Sequence, residues 1–154
     1  MDATKDVKKP AVQATTIIAT AFVFTSLAFF TSLLYASAPQ KTARDKVYSK
    51  EQAARGADVY AKYCEKCHDP DKLPEGKKPP PPVMGEKFRD TWQDRTLGEL
   101  YTLILTTMPS DASTVLTPDQ ALDVMAHLLK ANQYPEGTAP LKNDDAMKAI
   151  VIVK

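Results

Sequence analysis

The apolar positions divide this chain into an N-terminal apolar segment and a longer region of mixed polarity. No charged residue occurs between Pro10 and Gln40, and residues 15–38 read TTIIATAFVFTSLAFFTSLLYASA. A helix of about 20 residues crosses the hydrocarbon core of a bilayer, so this segment is long enough to span one. We predict a cytoplasmic N-terminus at 1–14, a transmembrane anchor at 15–38, a polar linker at 39–48 and a folded domain at 49–154.

A cleaved signal peptide is the alternative interpretation of the same segment. The start MDATKDVKK is modestly basic, and Ala36, Ser37 and Ala38 have the A-x-A form of a cleavage site. The apolar part of a signal peptide usually has about 7–15 residues, fewer than this segment has. The length therefore favours a retained anchor, with cleavage as the competing possibility.

Three polar pairs with capping-box spacing mark predicted helix starts in the domain. In such a box the first side chain accepts from an early helical amide and the second reaches back to the first residue. The pairs are Ser49 with Gln52, Thr96 with Glu99, and Thr117 with Gln120. They predict helices over 49–63, 96–106 and 117–131.

The last predicted helix has one apolar face, which must pack against another helix or a flat group. Its apolar residues, spaced at the helical period, are Leu122, Met125, Ala126 and Leu129. In the first helix, Gly56 is costly unless a second chain segment approaches closely there. We therefore expect a helix crossing at Gly56.

Residues 69–95 show no helical or strand period, and four consecutive prolines occur at Pro79 to Pro82. Because proline lacks an amide hydrogen, it interrupts regular helices and sheets. We predict a long irregular loop here. Loops of this length in compact domains usually have a function.

Composition narrows the class of protein. The 154 residues carry a net charge of +1, with 5 glycines and 12 prolines. No basic stripe interleaved with aromatic residues is present, which argues against nucleic-acid binding. Scarce glycine and clustered proline fit an all-α domain with one stiff loop better than a sheet with many tight turns.

The two cysteines of the chain, Cys64 and Cys67, occur in the stretch CEKCH and are followed directly by His68. A disulfide between them would close a very short loop and add little stability. Zinc needs four ligands, and the one other histidine is His127. A redox CxxC motif expects a βαβ setting, for which no strand pattern is visible. The spacing C-x-x-C-H is typical of covalent attachment of haem c.

If His68 binds the haem iron, a second axial ligand is needed. Met108 is the best candidate, because it follows a predicted helix and precedes Pro109, which fixes the turn. Its thioether sulfur suits ferrous iron and raises the reduction potential relative to two histidines. Of the rivals, we expect Met84 to pack as an apolar lid, and His127 to lie at the edge of the apolar face of its helix or on the surface.

Residues 49–152 resemble a single-haem class I cytochrome c domain. The resemblance is carried by GADVYAKYCEKCH, PPPPVMGEKF, TLGELYTLILTTMPS and LTPDQALDVMAHLLKANQYPEG. It implies an all-α fold around one covalent haem c, with Met108 as the distal ligand and with Gly56 and Tyr60 packed against the last helix. The chain departs from the family at His127, where an aromatic residue is usual.

The resemblance extends to the surroundings of the haem. Trp92 and Arg95 resemble residues that line the haem propionates. The proline-rich loop resembles the segment whose backbone carbonyl orients the proximal histidine, although the residue that supplies it is not identifiable from the sequence.

These features together predict an electron carrier rather than an enzyme. We expect a single-pass protein of the bacterial inner membrane whose haem domain lies on the periplasmic face. Its expected partners are the lipid bilayer and a membrane redox complex: a quinol-oxidising unit, an oxidase, a dehydrogenase or a photosynthetic centre. The alternatives are a soluble periplasmic cytochrome serving a dehydrogenase, or a haem peroxidase or sensor if Met108 is not a ligand.

Overall fold

A computed structural model describes residues 39–73, 75–76 and 78–154, which form an all-α fold. The helices are α1 (Lys50–Tyr63), α2 (Glu65–His68), α3 (Glu86–Trp92), α4 (Leu97–Thr107), α5 (Pro118–Ala131) and α6 (Asp145–Lys148), with a 3₁₀ turn at Pro70–Lys72. The chain divides into two units, Met1–Pro39 and Gln40–Lys154. The predicted anchor at 15–38 lies outside the described residues. In the part that the structure describes, no helix is both long enough and apolar enough to cross a bilayer.

The three predicted helices are confirmed, and two of their three capping boxes form. In the box that starts α4, the Glu99 amide donates to Thr96 Oγ1 at 3.2 Å and the Thr96 amide donates to Glu99 Oε2 at 3.0 Å. The box that starts α5 has the same two bonds, between Thr117 and Gln120. Local sequence alone therefore determines where these helices begin.

The predicted box at the start of α1 is only half formed. The Ser49 hydroxyl accepts from the Gln52 amide at 3.2 Å, but the Gln52 side chain does not reach back. It donates to the Leu141 carbonyl at 3.1 Å and accepts from the Leu141 amide at 2.8 Å. A buried side-chain amide has both donor and acceptor atoms that need partners, and the backbone of Leu141 provides a partner for each kind.

Helices α1 and α5 cross in close contact at Gly56, as the sequence predicts. A Cβ atom at this position would overlap the backbone carbonyl of Asp123. Beside the crossing, the Arg55 guanidinium donates to both carboxylate oxygens of Asp123, at 2.8 and 2.9 Å. One turn further on, the rings of Tyr60 and His127 lie with their centroids 5.0 Å apart. The crossing places the C-terminal end of α1, and with it CEKCH, against α5.

Helix α3 was not expected, because the sequence predicted loop throughout 69–95. It begins after Gly85, which has a φ of +83° that favours glycine, and it ends at Trp92. Phe88 and Trp92, four residues apart, are buried on one face with ring centroids 6.1 Å apart. Two apolar residues in seven positions are too few to reveal a helical period.

The segment 39–48, predicted to be a linker, packs into the domain from Gln40 onward. The Ala43 amide donates to the Val151 carbonyl at 2.8 Å, and the Val151 amide donates to the Lys41 carbonyl at 3.0 Å. Tyr48 is buried and its hydroxyl donates to the Tyr134 carbonyl at 2.6 Å. The domain boundary predicted at residue 49 is therefore about nine residues too late.

Candidate haem site

All six residues singled out from the sequence line one apolar cavity of about 250 Å³. They are Cys64, Cys67, His68, Trp92, Arg95 and Met108. The walls are completed by the end of α1, residues Pro80 to Val83, and the inner faces of α3, α4 and α5. Residues separated by 44 positions of sequence are thus brought to one site by the packing of the helices.

The CEKCH segment forms a tight turn at one wall of this cavity. The amides of Cys67 and His68 both donate to the Cys64 carbonyl, at 3.1 and 3.0 Å. Both thiols are free; Cys64 is half-buried and Cys67 is exposed. Burial raises the pKa of Cys64 to about 11, so this thiol is protonated at neutral pH.

The Nδ1 atom of the His68 imidazole is buried beside the cavity. Among the described residues, nothing forms a hydrogen bond of ordinary geometry with Nδ1. Burial lowers the pKa of His68, whereas the nearby backbone carbonyl of Pro81 opposes the decrease by favouring the protonated ring. The family resemblance implies a carbonyl from this loop, but the sequence contains no signal that selects Pro81.

Met108 is the one of the three candidate second ligands that lines the cavity. It caps the C-terminal end of α4, where its amide donates to the Ile104 carbonyl at 3.3 Å. The side chain of Met84 is 36% exposed and does not line the cavity. His127 is not a lining residue either, since its ring packs on Tyr60 at the helix crossing.

Trp92 and Arg95 form one polar edge of the cavity. The Arg95 guanidinium lies 4.1 Å from the centroid of the Trp92 ring, and its Nε is 3.5 Å from Glu99 Oε2. No lysine and no other arginine lines the cavity among the described residues. The guanidinium that lines this edge could therefore pair with carboxylate groups of a bound molecule, in addition to Glu99.

An ion pair joins CEKCH to the turn that follows Met108. Lys66 Nζ lies 2.7 Å from Asp111 Oδ2, and Asp111 also lines the cavity. The Lys66 ammonium, helped by the Ser113 hydroxyl and amide, holds the pKa of Asp111 well below its usual range. Lys72 pairs with Glu65 at 2.6 Å, so two lysines near this corner are neutralised within the domain.

The donor set fits a c-type haem better than a simple metal ion. Two thiols, an imidazole and a thioether line one apolar cavity, which matches the groups that hold haem c. Elsewhere in the described ranges, no group of three or more His, Cys, Asp or Glu side chains converges as a metal site. The alternative of a zinc centre thus finds no ligand set there.

Comparison with protein families identifies the class. A family model described as cytochrome c oxidase, cbb3-type, subunit III matches residues 51–128, just over half of the chain. The chain belongs to this cytochrome c family. Comparisons with curated proteins and with solved structures find no match.

Membership in this cytochrome family has two direct consequences. It implies that haem c is bound covalently, which agrees with the cavity beside CEKCH. It also makes the protein an electron carrier of the c type rather than an enzyme in itself. The matched range ends at residue 128, so it includes CEKCH, Met108 and most of α5.

Proposed function

We propose that this chain is a membrane-tethered cytochrome c with one haem, whose iron is ligated by His68 and Met108 and which transfers electrons in a respiratory complex. The observation that carries the proposal is the single cavity lined by both cysteines and by both proposed ligands. When bound, haem c supplies an iron that alternates between the ferrous and ferric states. The chain supplies the attachment, the ligands and the environment.

The chain's own residues account for the proposed chemistry. Cys64 and Cys67 would hold the haem through thioether bonds, and Arg95 would pair with its propionates. The apolar walls exclude water, which lowers the local dielectric constant and favours the less charged ferrous form. A His68 nitrogen and a Met108 sulfur would ligate the iron in both oxidation states, so little rearrangement would accompany electron transfer.

The proposed partner is a terminal oxidase complex. The matching family is described as subunit III of a cbb3-type cytochrome c oxidase, which supports an oxidase over a dehydrogenase or a photosynthetic centre. The apolar segment at 15–38 supports a location at the bacterial inner membrane, with the haem domain on the periplasmic side. Residues 40–48 are packed into the domain, so they do not form a flexible linker that would let the domain act as a mobile carrier.

Ligation by Met108 distinguishes the carrier from a peroxidase or sensor. The test uses the full chain carrying haem, reduced to the ferrous form, with carbon monoxide as the probe. We expect slow, weak binding by the natural protein and fast, tight binding by Met108→Ala, because the substitution opens one axial position. Met84→Ala is the matched control, since Met84 lies outside the cavity, and it should behave like the natural protein.

Rapid binding of carbon monoxide by the natural protein would overturn Met108 ligation and favour the peroxidase or sensor alternative.

The intact mass of the protein extracted from membranes tests whether the N-terminal segment is retained. A full-length chain plus one haem supports the anchored form. A haem-bearing chain that begins near Pro39 would instead mean a cleaved, soluble cytochrome.

A further inference from the structure

Asn132 is a buried side-chain amide with every polar atom in use. It caps the C-terminal end of α5 and is 2% exposed. Its Nδ2 donates to the Leu128 carbonyl at 2.8 Å and to the Val83 carbonyl at 3.0 Å, and its Oδ1 accepts from the Gly85 amide at 2.9 Å. Two of these three bonds hold the end of the proline-rich loop against α5.

The proline-rich loop has few other means of fixing its position. Pro79 to Pro82 contribute no amide hydrogens, so this part of the loop cannot donate a backbone hydrogen bond. Within the described part of 73–85, the Gly85 carbonyl accepts from the Arg89 amide of the adjoining helix α3 at 3.2 Å, and the hydrogen bonds toward α5 are those to Asn132. Gly85, whose amide makes one of these bonds, is the residue before α3 and has a φ of +83°. The bonded amide therefore belongs to a constrained turn.

The prolines that precede Val83 lie at the cavity, beside the proposed proximal ligand His68. Pro80, Pro81 and Pro82 line the cavity together with His68, whose buried Nδ1 has no well-aligned partner in the described residues. Only one residue separates Pro81 from Val83, which Asn132 holds. A ligating histidine normally donates its second ring N–H to a carboxylate, carbonyl or water, which makes it a stronger electron donor to the metal.

We propose that Asn132 is a positioning residue for the proximal ligand: its amide holds Val83 and Gly85, which places the Pro81 carbonyl to accept from His68 Nδ1 when the haem is bound. This inference rests on the proposed role of His68 as an iron ligand. A stronger donor stabilises ferric iron, so loss of the clamp should raise the reduction potential. Asn132 touches neither haem nor iron in this scheme and acts only through the loop.

Gln52 provides a matched control for this proposal. It is 3% exposed, and its amide also makes two hydrogen bonds to the backbone of a distant segment, at Leu141. Neither Gln52 nor Leu141 lines the cavity. Gln52→Ala should therefore reproduce the loss of a buried amide clamp without affecting His68.

The test compares the full-length haem protein with Asn132→Ala and Gln52→Ala. Both variants should unfold at lower urea concentration. Only Asn132→Ala should shift the ferrous-to-ferric ratio at a fixed potential, by roughly 3- to 10-fold toward ferrous. Equal shifts in both variants, or no shift in Asn132→Ala, would overturn the proposal.

A second readout does not depend on the stability of a variant. In the ferrous natural protein, the His68 Nδ1 proton should be visible by NMR and exchange slowly with solvent, because it is buried and bonded. Rapid exchange in the natural protein would refute the bond to Pro81. Asn132→Asp keeps the acceptor for the Gly85 amide but loses the donor to Val83, and it should speed the exchange. Failure of haem binding or of Met108 ligation would instead contradict the proposed function itself, so the two outcomes are distinguishable.

Discussion

At the scale of single residues, His127 places a titratable group inside a helix crossing. Its ring packs against Tyr60, and its Cβ lies beside the backbone of Gly56. Burial lowers the pKa of His127, and the charge of Lys130 on the same helix lowers it further. The folded protein therefore favours the neutral imidazole.

The sign of the pH effect follows from this lowered pKa. An unfolded histidine titrates near 6.5, so below that pH the unfolded state binds more protons than the folded state does. The stability due to neutral His127 is complete above pH of about 6.5 and is lost as the pH falls through the folded-state pKa. We expect His127→Phe to lose less stability than the natural protein between about pH 7 and pH 5.

Urea unfolding of the two haem proteins at a series of pH values measures this difference. His68 and the carboxylates are present in both chains, so their titrations cancel in the comparison. Parallel pH profiles would mean that folding leaves the pKa of His127 unshifted, and would contradict the lowered pKa inferred from its burial.

At the scale of elements, the starts of helices were predictable because their signals are local. Thr96 with Glu99 and Thr117 with Gln120 each satisfy neighbouring backbone groups, whatever the rest of the chain does. Gln52 has the same spacing from Ser49, yet a distant segment captures its side chain. Helix α3 was not predicted because its two apolar residues, Phe88 and Trp92, give no helical period in the sequence. Their role becomes visible only in the fold, where both line the cavity.

The crossing of α1 with α5 gives a sharp test at this scale. Gly56→Ala would gain helix propensity of about 1 kcal/mol, but its Cβ would overlap the Asp123 carbonyl. Backbone cannot yield as a flexible side chain does, so we expect net destabilisation of about 1–3 kcal/mol. Asp58→Ala, at an exposed position of the same helix, should change stability by no more than about 0.5 kcal/mol.

Urea denaturation of the haem-bearing protein measures both variants. Equal stability of Gly56→Ala and Asp58→Ala would show that the helices move apart at little cost. In that case the glycine would have no packing role in bringing CEKCH to α5.

At the scale of the whole molecule, residues 40–44 and the C-terminal segment meet beside the polar edge of the candidate site. Beyond its bonds to residues 41–43, the C-terminal segment pairs with the start of α4: the Ile152 amide donates to the Arg95 carbonyl, and the Leu97 amide donates to the Ile150 carbonyl, both at 2.8 Å. The sequence did not predict this arrangement. Partners more than 100 residues apart leave no local period, which is why the sequence alone predicts a linker at 39–48.

The C-terminal segment should therefore stabilise the whole domain, and Ile152 is the residue that tests it. Its side chain is 0% exposed, and its backbone pairs with both Asp94 and Arg95. Truncation by Ile152→Ala removes buried methyl and methylene groups and leaves a cavity, which typically costs about 2–5 kcal/mol. Val115→Ala is the control, because Val115 is 87% exposed and its truncation should cost less than about 0.5 kcal/mol. Urea unfolding of the full-length haem protein measures the stability of both variants. If Ile152→Ala costs as little as Val115→Ala, the C-terminal segment does not stabilise the domain. The edge formed by Trp92 and Arg95 would then be held in place by α3 and α4 alone.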